Sequence, residues 1–277
     1  NNQVDAEYAK GGGILNYQGQ LQINGSTFSG NSAVGVVTGL NKGGGAVATI
    51  FFGTTTIQSS IFSNNSVQTG YGGAVYHSSL STLTVDHSSF FNNSVVGRGG
   101  ALASLSRITT VSSSQFEGNS AGIGGAIEIE QSELSLTDST VSGNSATSTS
   151  GAISISTGRG QLHNVTISNN TSPNTAAVTI GVASGQTFTV SSTTIANNIS
   201  SVTDGSTAAG LEGSSSVLLV NSIVAGNDTA DVKGILSVTS HHNVIGRSNS
   251  AGGLTNGVNG NKLGVDPLLG TLSDNGG

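Results

Sequence analysis

The sequence predicts an all-β chain, a right-handed parallel β-helix (solenoid) of about eight to ten coils with roughly 26 residues per coil. Three observations predict it. An apolar-x-x-Asn motif returns at nearly constant spacing, a Gly-Gly-Ala-aliphatic motif runs in phase with it, and a short alternating apolar run precedes every copy.

The Asn motif reads Phe28-Ser29-Gly30-Asn31, Phe62-Ser63-Asn64-Asn65, Phe90-Phe91-Asn92-Asn93 and Phe116-Glu117-Gly118-Asn119. It continues as Val141-Ser142-Gly143-Asn144, Ile167-Ser168-Asn169-Asn170, Ile195-Ala196-Asn197-Asn198 and Val224-Ala225-Gly226-Asn227. Successive Asn positions differ by 34, 28, 26, 25, 26, 28 and 29. Such residues suit the corners of a coil because Asn tolerates left-handed geometry. Stacked in one column, their amides can also hydrogen-bond along the axis.

The glycine motif appears as Gly44-Gly45-Ala46-Val47, Gly72-Gly73-Ala74-Val75, Gly99-Gly100-Ala101-Leu102 and Gly124-Gly125-Ala126-Ile127. It persists as Ser150-Gly151-Ala152-Ile153 and, more loosely, at residues 11–14, 175–178 and 208–211. Paired glycines permit a positive φ at a tight corner and close approach between coils. The following aliphatic residue opens a strand.

Five residues before each motif Phe, Val or Ile lies an apolar position: Ile23, Ile57, Val85, Val111, Leu136, Leu162, Val190 and Leu219. Many have an apolar neighbour two residues earlier, as in Leu83/Val85 and Leu134/Leu136, the period of a strand with one buried face. Two residues before the motif aromatics runs a column of Ser26, Ser60, Ser88, Ser114 and Ser139. By alternation these serines face the same way as the Phe column and are expected as small buried hydroxyls bonded to backbone. Each repeat thus holds three short strands, and only stacking of coils can bury their apolar faces. We expect one domain over residues 1–277, with regular coils over 11–245 and a C-terminal loop and cap segment over 246–277.

Composition narrows the function. Charged residues are 8% of the chain, about a third of the usual share, and the net charge is −6 from 14 acids and 8 bases. Without a basic patch, nucleic acid is not an expected partner. No apolar run is long enough to span a membrane as a helix, so membrane insertion by this segment is not expected. With no cysteine there is neither a disulfide framework nor a thiolate metal site. The chain starts at Asn1 without methionine or signal peptide, as expected of a processed or excised piece.

The pairing of Gly-Gly-Ala-aliphatic with Phe-x-x-Asn over roughly residues 11–227 resembles the passenger repeats of polymorphic outer-membrane proteins, bacterial autotransporter β-helices associated with adhesion. Residues 243–246, 263–270 and 274–277 (Asn-Val-Ile-Gly, Leu-Gly-Val-Asp-Pro-Leu-Leu-Gly and Asp-Asn-Gly-Gly) resemble the end of β-helix domains in large anchored bacterial surface proteins. The resemblance implies a parallel β-helix and an extracellular or cell-surface location, with adhesion as a role.

Enzymes also use parallel β-helices, placing acids with Lys or Arg on one exposed sheet. The best candidates are Glu128 and Glu130, which alternation points outward about 7 Å apart, near the spacing of retaining glycosidases. Glu133, Tyr76 and Arg98 are placed to lie nearby. The plainer expectation is that the acids solvate an exposed strand face at ordinary pKa, with no cation clearly facing them. His241 and His242, with Asp228 and Asp231, are the one candidate cation cluster; adjacent strand residues point to opposite faces, which favours a surface turn instead. The outward column Thr56, Thr84, Thr110, Ser135 and Thr189 is a partial hydroxyl ladder for an ordered surface, interrupted by Gln22, Gln161 and Leu218. Sequons at Asn64 and Asn164 arise readily in so Asn- and Ser-rich a chain.

The reading is therefore a non-catalytic secreted or cell-surface structural or adhesive rod, a segment of a larger bacterial envelope or matrix protein. No catalytic, cofactor-binding or metal residue is assigned, and no cofactor is expected. The expected partners are the chain itself, surface glycans or other cell-surface proteins. The alternative is a polysaccharide lyase or hydrolase, or a carbohydrate binder. Twelve residues separate Asn31 from Gly44 where only four separate Asn119 from Gly124, so the expanded segments 32–43 and 199–207 are expected to protrude along one edge and carry recognition.

Overall fold

A computed structural model describes residues 2–5, 11–34, 43–173, 175–200 and 210–272. The chain is a parallel β-solenoid whose successive coils pair strand on strand, with two single-turn 3-10 helices, Ser248–Ser250 and Val258–Gly260, as the helical content of the described residues. Each regular coil contributes to three sheets. The first follows the glycine pair and holds Ile14–Asn16, Val47–Phe51, Val75–Ser79, Leu102–Ser104 and Ile127–Glu130. The second holds Gln20–Asn24, Thr54–Gln58, Thr82–Asp86 and Ile108–Ser112, followed by the Phe strands Thr27–Ser29, Ile61–Ser63, Ser89–Phe91 and Gln115–Glu117. The third holds Ser32–Val34, Ser66–Val67, Ser94–Val95, Ser120–Ile123 and Ser145–Thr149. Strand Ile153–Ser168 is long enough to serve the first two sheets in turn.

Register follows the motifs. Ile23, Ile57, Val85, Val111, Leu136, Leu162, Val190 and Leu219 stack as one inward column of eight. Phe28, Phe62, Phe90 and Phe116 stack face to face at 4.9, 4.9 and 4.7 Å, with the last three fully buried. Val141, Ile167, Ile195, Val224, Ile245 and Leu263 continue that column, so parallel pairing runs past residue 245 into Lys262–Leu263. Burying each such side chain stabilises the rod by about 1.5–3 kcal/mol.

The Asn column is a continuous buried ladder. In each step the backbone N–H and Nδ2 of one Asn donate to Oδ1 of the next, from Asn31 through Asn65, Asn93, Asn119, Asn144, Asn170 and Asn198 to Asn227, at 2.9–3.2 Å. From Asn65 on, each Nδ2 also donates to a backbone carbonyl of the coil before, such as Phe62 O from Asn93 and Phe90 O from Asn119. These amides are not themselves left-handed, contrary to expectation. The residue before each takes that conformation and is either Gly or Asn along the column: Gly30, Asn64, Asn92, Gly118, Gly143, Asn169, Asn197 and Gly226. A ladder amide must be aimed inward, so the corner's positive φ falls on its solvent-facing neighbour.

The serine column behaves as expected. From Ser60 on, each Ser Oγ donates to the carbonyl two residues earlier and accepts a backbone N–H from the coil before, as in Ser60 N to Ser88 Oγ and Ser88 N to Ser114 Oγ at 3.1 Å. The two glycines of each pair do different work. Gly72, Gly99 and Gly124 have φ between 62° and 69°. A methyl on Gly100 would run into the carbonyl of Gly125 one coil on.

Candidate functional site

The face of the first sheet turned away from the core is not a solvated plane. Ala48, Tyr76, Ala103, Glu128 and Ser154 form one outward column in register, and all five are buried. The segments entering the glycine corners lie alongside, bridged to one another through Tyr71, Arg98 and Ile123. Tyr71 packs on Tyr76 with ring centroids 5.8 Å apart.

Glu128 is fully enclosed here, and Arg98 Nη1 donates to its Oε1 at 2.9 Å. Burial pushes the Glu128 carboxyl above the usual range, offset in part by Ser154 and by Arg98. This corrects three expectations: the acid does not solvate an open face, it does have a facing cation, and it is not at its ordinary pKa. Alternation placed it correctly outward, yet outward here means beneath the neighbouring corner. Glu130 is half-buried, with Oε2 shut from water and without a hydrogen-bond partner. Glu133 does not join them; it pairs with Arg159 at 2.8 Å across the next coil.

A carboxyl with a raised pKa beside a guanidinium is the chemistry of a general acid or a proton-holding group. It is equally the chemistry of a buried structural ion pair, and with no exposed atom Glu128 does not reach a surface ligand. Two shallow depressions lie elsewhere. One of about 270 Å³ is lined by Val67, Val95, Ala121 and Thr147 on the third sheet, the other by Asn92 and Glu117 at the Asn corner.

Inside the rod the inward column of the first sheet is polar for four coils, Asn16, Thr49, His77 and Ser104, before becoming Ile129 and Ile155. Thr49 bonds Thr55 at 2.6 Å, and Ser104 bonds Ser106 and Thr109 at 2.6 and 2.7 Å. His77 lies between these hydroxyl pairs, fully buried. Neither ring nitrogen makes a well-formed hydrogen bond, although the Gly53 carbonyl is close enough to offset part of the burial. Burial lowers its pKa from 6.5 to about 4. Sequence reasoning passed over His77, although its place two residues after Val75 on one strand marks it as inward.

The remaining candidates do not converge. His241 and His242 touch edge to face at 5.3 Å, closer than strand alternation implies, because His242 has φ 58°. Asp231 does not face them. Its Oδ1 accepts the last ladder step from Asn227 N and Nδ2 at 3.2 and 3.0 Å, and its Oδ2 accepts from Arg247 N at 2.8 Å. Among the described residues no group of three or more His, Asp or Glu side chains could hold a metal ion. The hydroxyl column Thr56, Thr84, Thr110, Ser135, Gln161, Thr189 and Leu218 is in register, with its interruptions in place. Asn64 and Asn164 are exposed corner residues with φ 55° and 53°. Of the two expanded segments, residues 35–42 and 201–207 lie outside the described residues, as do residues 274–277.

No curated protein and no solved structure matches the chain. A family model does, over residues 59–78, which run from the corner before Ile61–Ser63 through Asn65 and the glycine pair into strand Val75–Ser79. The model is that of the Chlamydia polymorphic membrane protein repeat. With that match placed on a parallel solenoid of like coils, the chain fits a surface β-helix repeat protein similar to the polymorphic membrane proteins.

Proposed function

We propose that this chain is a rod segment of a bacterial cell-surface protein, structural or adhesive in role and without catalytic activity. The repeat match at residues 59–78 carries the reading, because it falls on the Asn-ladder and glycine-pair positions that recur in every regular coil. The packing supports it: the buried Asn and Ser columns are committed to hydrogen-bonded ladders along the axis, which favour length and stiffness over a cleft. The resemblance to passenger repeats favours an exposed location.

A polysaccharide-active enzyme is the second reading, favoured by the raised carboxyl of Glu128 beside Arg98. Acid–base cleavage needs a carboxyl within hydrogen-bond reach of the scissile bond, and Glu128 is enclosed. Absence of product from neutral and anionic glycans supports the rod. Turnover abolished by Glu128→Gln would replace the rod with the enzyme.

The location is tested on intact cells of the source bacterium with an antiserum against this segment. Surface labelling and shaving by external protease are the expected results. An epitope reached only after lysis would overturn the surface reading. Beads coated with the purified segment, offered to cells and to inert surfaces, separate adhesion from scaffolding.

A further inference from the structure

At the corner between the first and second sheets, Leu15, Tyr17, Phe51, Phe52 and Leu80 all face solvent, with Tyr17 at 53%, Phe52 at 64% and Leu80 at 73% exposure. The Tyr17 and Phe51 rings meet at 4.6 Å, tilted by 43°. Phe51 holds φ 65°, a left-handed backbone that bulky L-residues rarely adopt.

The repeat supplies its own control. Later coils fill the corresponding corner position with Gln131 and Thr157, at φ 53° and 57°. Neither is aromatic, so the fold does not require an aromatic at this corner. A contiguous exposed apolar cluster that folding does not require marks an interaction site.

Charge complementarity selects the occupant. The strands beside the cluster, Gln20–Asn24 and Thr54–Gln58, pair rung on rung and present Gln20, Gln22, Asn24, Thr54, Thr56 and Gln58 outward. These offer amide and hydroxyl donors and acceptors and no ionisable group. Ring faces beside neutral hydrogen-bonding groups suit a ligand with apolar C–H faces and a hydroxyl rim. An anionic glycan would find no cation on these two strands.

We propose that Tyr17, Phe51 and Phe52 form a stacking platform that binds a neutral polysaccharide, with the amides and hydroxyls of the adjoining strands reading its hydroxyls. The proposal takes its setting from the surface reading above, but its test uses purified protein and is indifferent to where the parent protein sits. A failure here would leave surface display untouched.

The experiment is native affinity electrophoresis in gels containing a soluble β-glucan, a mannan, a galactan or polygalacturonate. Wild-type protein is expected to be retarded by at least one neutral polymer and not by polygalacturonate. Tyr17→Ser with Phe52→Ser should weaken that binding about tenfold, equivalent to about 1.4 kcal/mol, at unchanged melting temperature. Phe51→Gln, which copies a later coil, should keep or raise the melting temperature and still weaken binding. Retardation by none of the neutral polymers, or undiminished binding in the double variant, would overturn the proposal. So would preference for polygalacturonate, or a concentration-dependent dimer lost in the same variants, which would assign the surface to a second copy of the chain.

Discussion

Replacing Asn119 by Asp tests the polarity of the ladder. Its Oδ1 accepts from Asn93 N and Nδ2 at 2.9 and 3.0 Å, and its Nδ2 donates to Phe90 O and Asn144 Oδ1 at 3.0 and 2.9 Å. A carboxylate keeps the two accepted bonds and loses both donated ones. The two lost bonds amount to about 1 kcal/mol each, and leaving the buried carboxylate oxygen without a donor costs about 1–3 kcal/mol more. An ionised oxygen would also face two acceptors, so Asn119→Asp should cost about 3–5 kcal/mol at neutral pH.

The deficit should depend on pH in a definite direction. Only the protonated acid can donate, so folding raises its pKa above the unfolded value of about 3.9. Its stability relative to wild type is then highest below about pH 3.9 and is lost as pH rises toward the folded-state value. Urea unfolding of both proteins at pH 3 and pH 7 gives the difference free of other titrations. A cost below about 1 kcal/mol, or a gap that does not widen from pH 3 to pH 7, would refute the reasoning. Nature's own exception fits: Asp231 ends the ladder, where its carboxylate only accepts.

Phe90 stacks on rings at 4.9 and 4.7 Å, and Phe90→Ala should cost about 3–5 kcal/mol in the same assay; less than about 1 kcal/mol would contradict its burial. His77, with its folded pKa near 4 against 6.5 unfolded, should make the rod acid-sensitive. Its contribution is full above pH 6.5 and is lost as pH falls toward 4, by about 3 kcal/mol. His77→Thr should flatten that slope, and an identical slope in both proteins would exclude His77 as its source.

The fold was legible because each coil repeats the same physical demands. The ladder amides, the Phe column and the inward Ile, Val and Leu positions were each identified from spacing, and the register joins them rung by rung. Local geometry was less legible. In Phe62-Ser63-Asn64-Asn65 both Asn residues suit a corner, and only the hydrogen bonds reveal that Asn64 turns the chain while Asn65 holds the ladder.

The environment of Glu128 was the least legible. Strand alternation tells which side of a sheet a residue occupies but not what lies over that side. The covering partner Arg98 is thirty residues away and reaches forward one coil. The signal that could have found it is positional: Arg98 immediately precedes one glycine pair, and Glu128 follows the next pair's Ala126 by two residues. The exposed rings at Tyr17 and Phe52 gave no periodic signal, because the repeat does not use them.

Disulfide trapping tests the in-register stack most directly, and the absence of native cysteine makes it clean. Thr56 and Thr84 face outward and are direct register partners on adjacent parallel strands, which places their Cα atoms about 4.8 Å apart, within disulfide range. Thr56→Cys with Thr84→Cys should oxidise nearly completely in the folded protein. Thr56→Cys with Asp86→Cys, offset by two residues, should not. Efficient trapping of the offset pair, or none of the in-register pair, would contradict the solenoid on which the account rests.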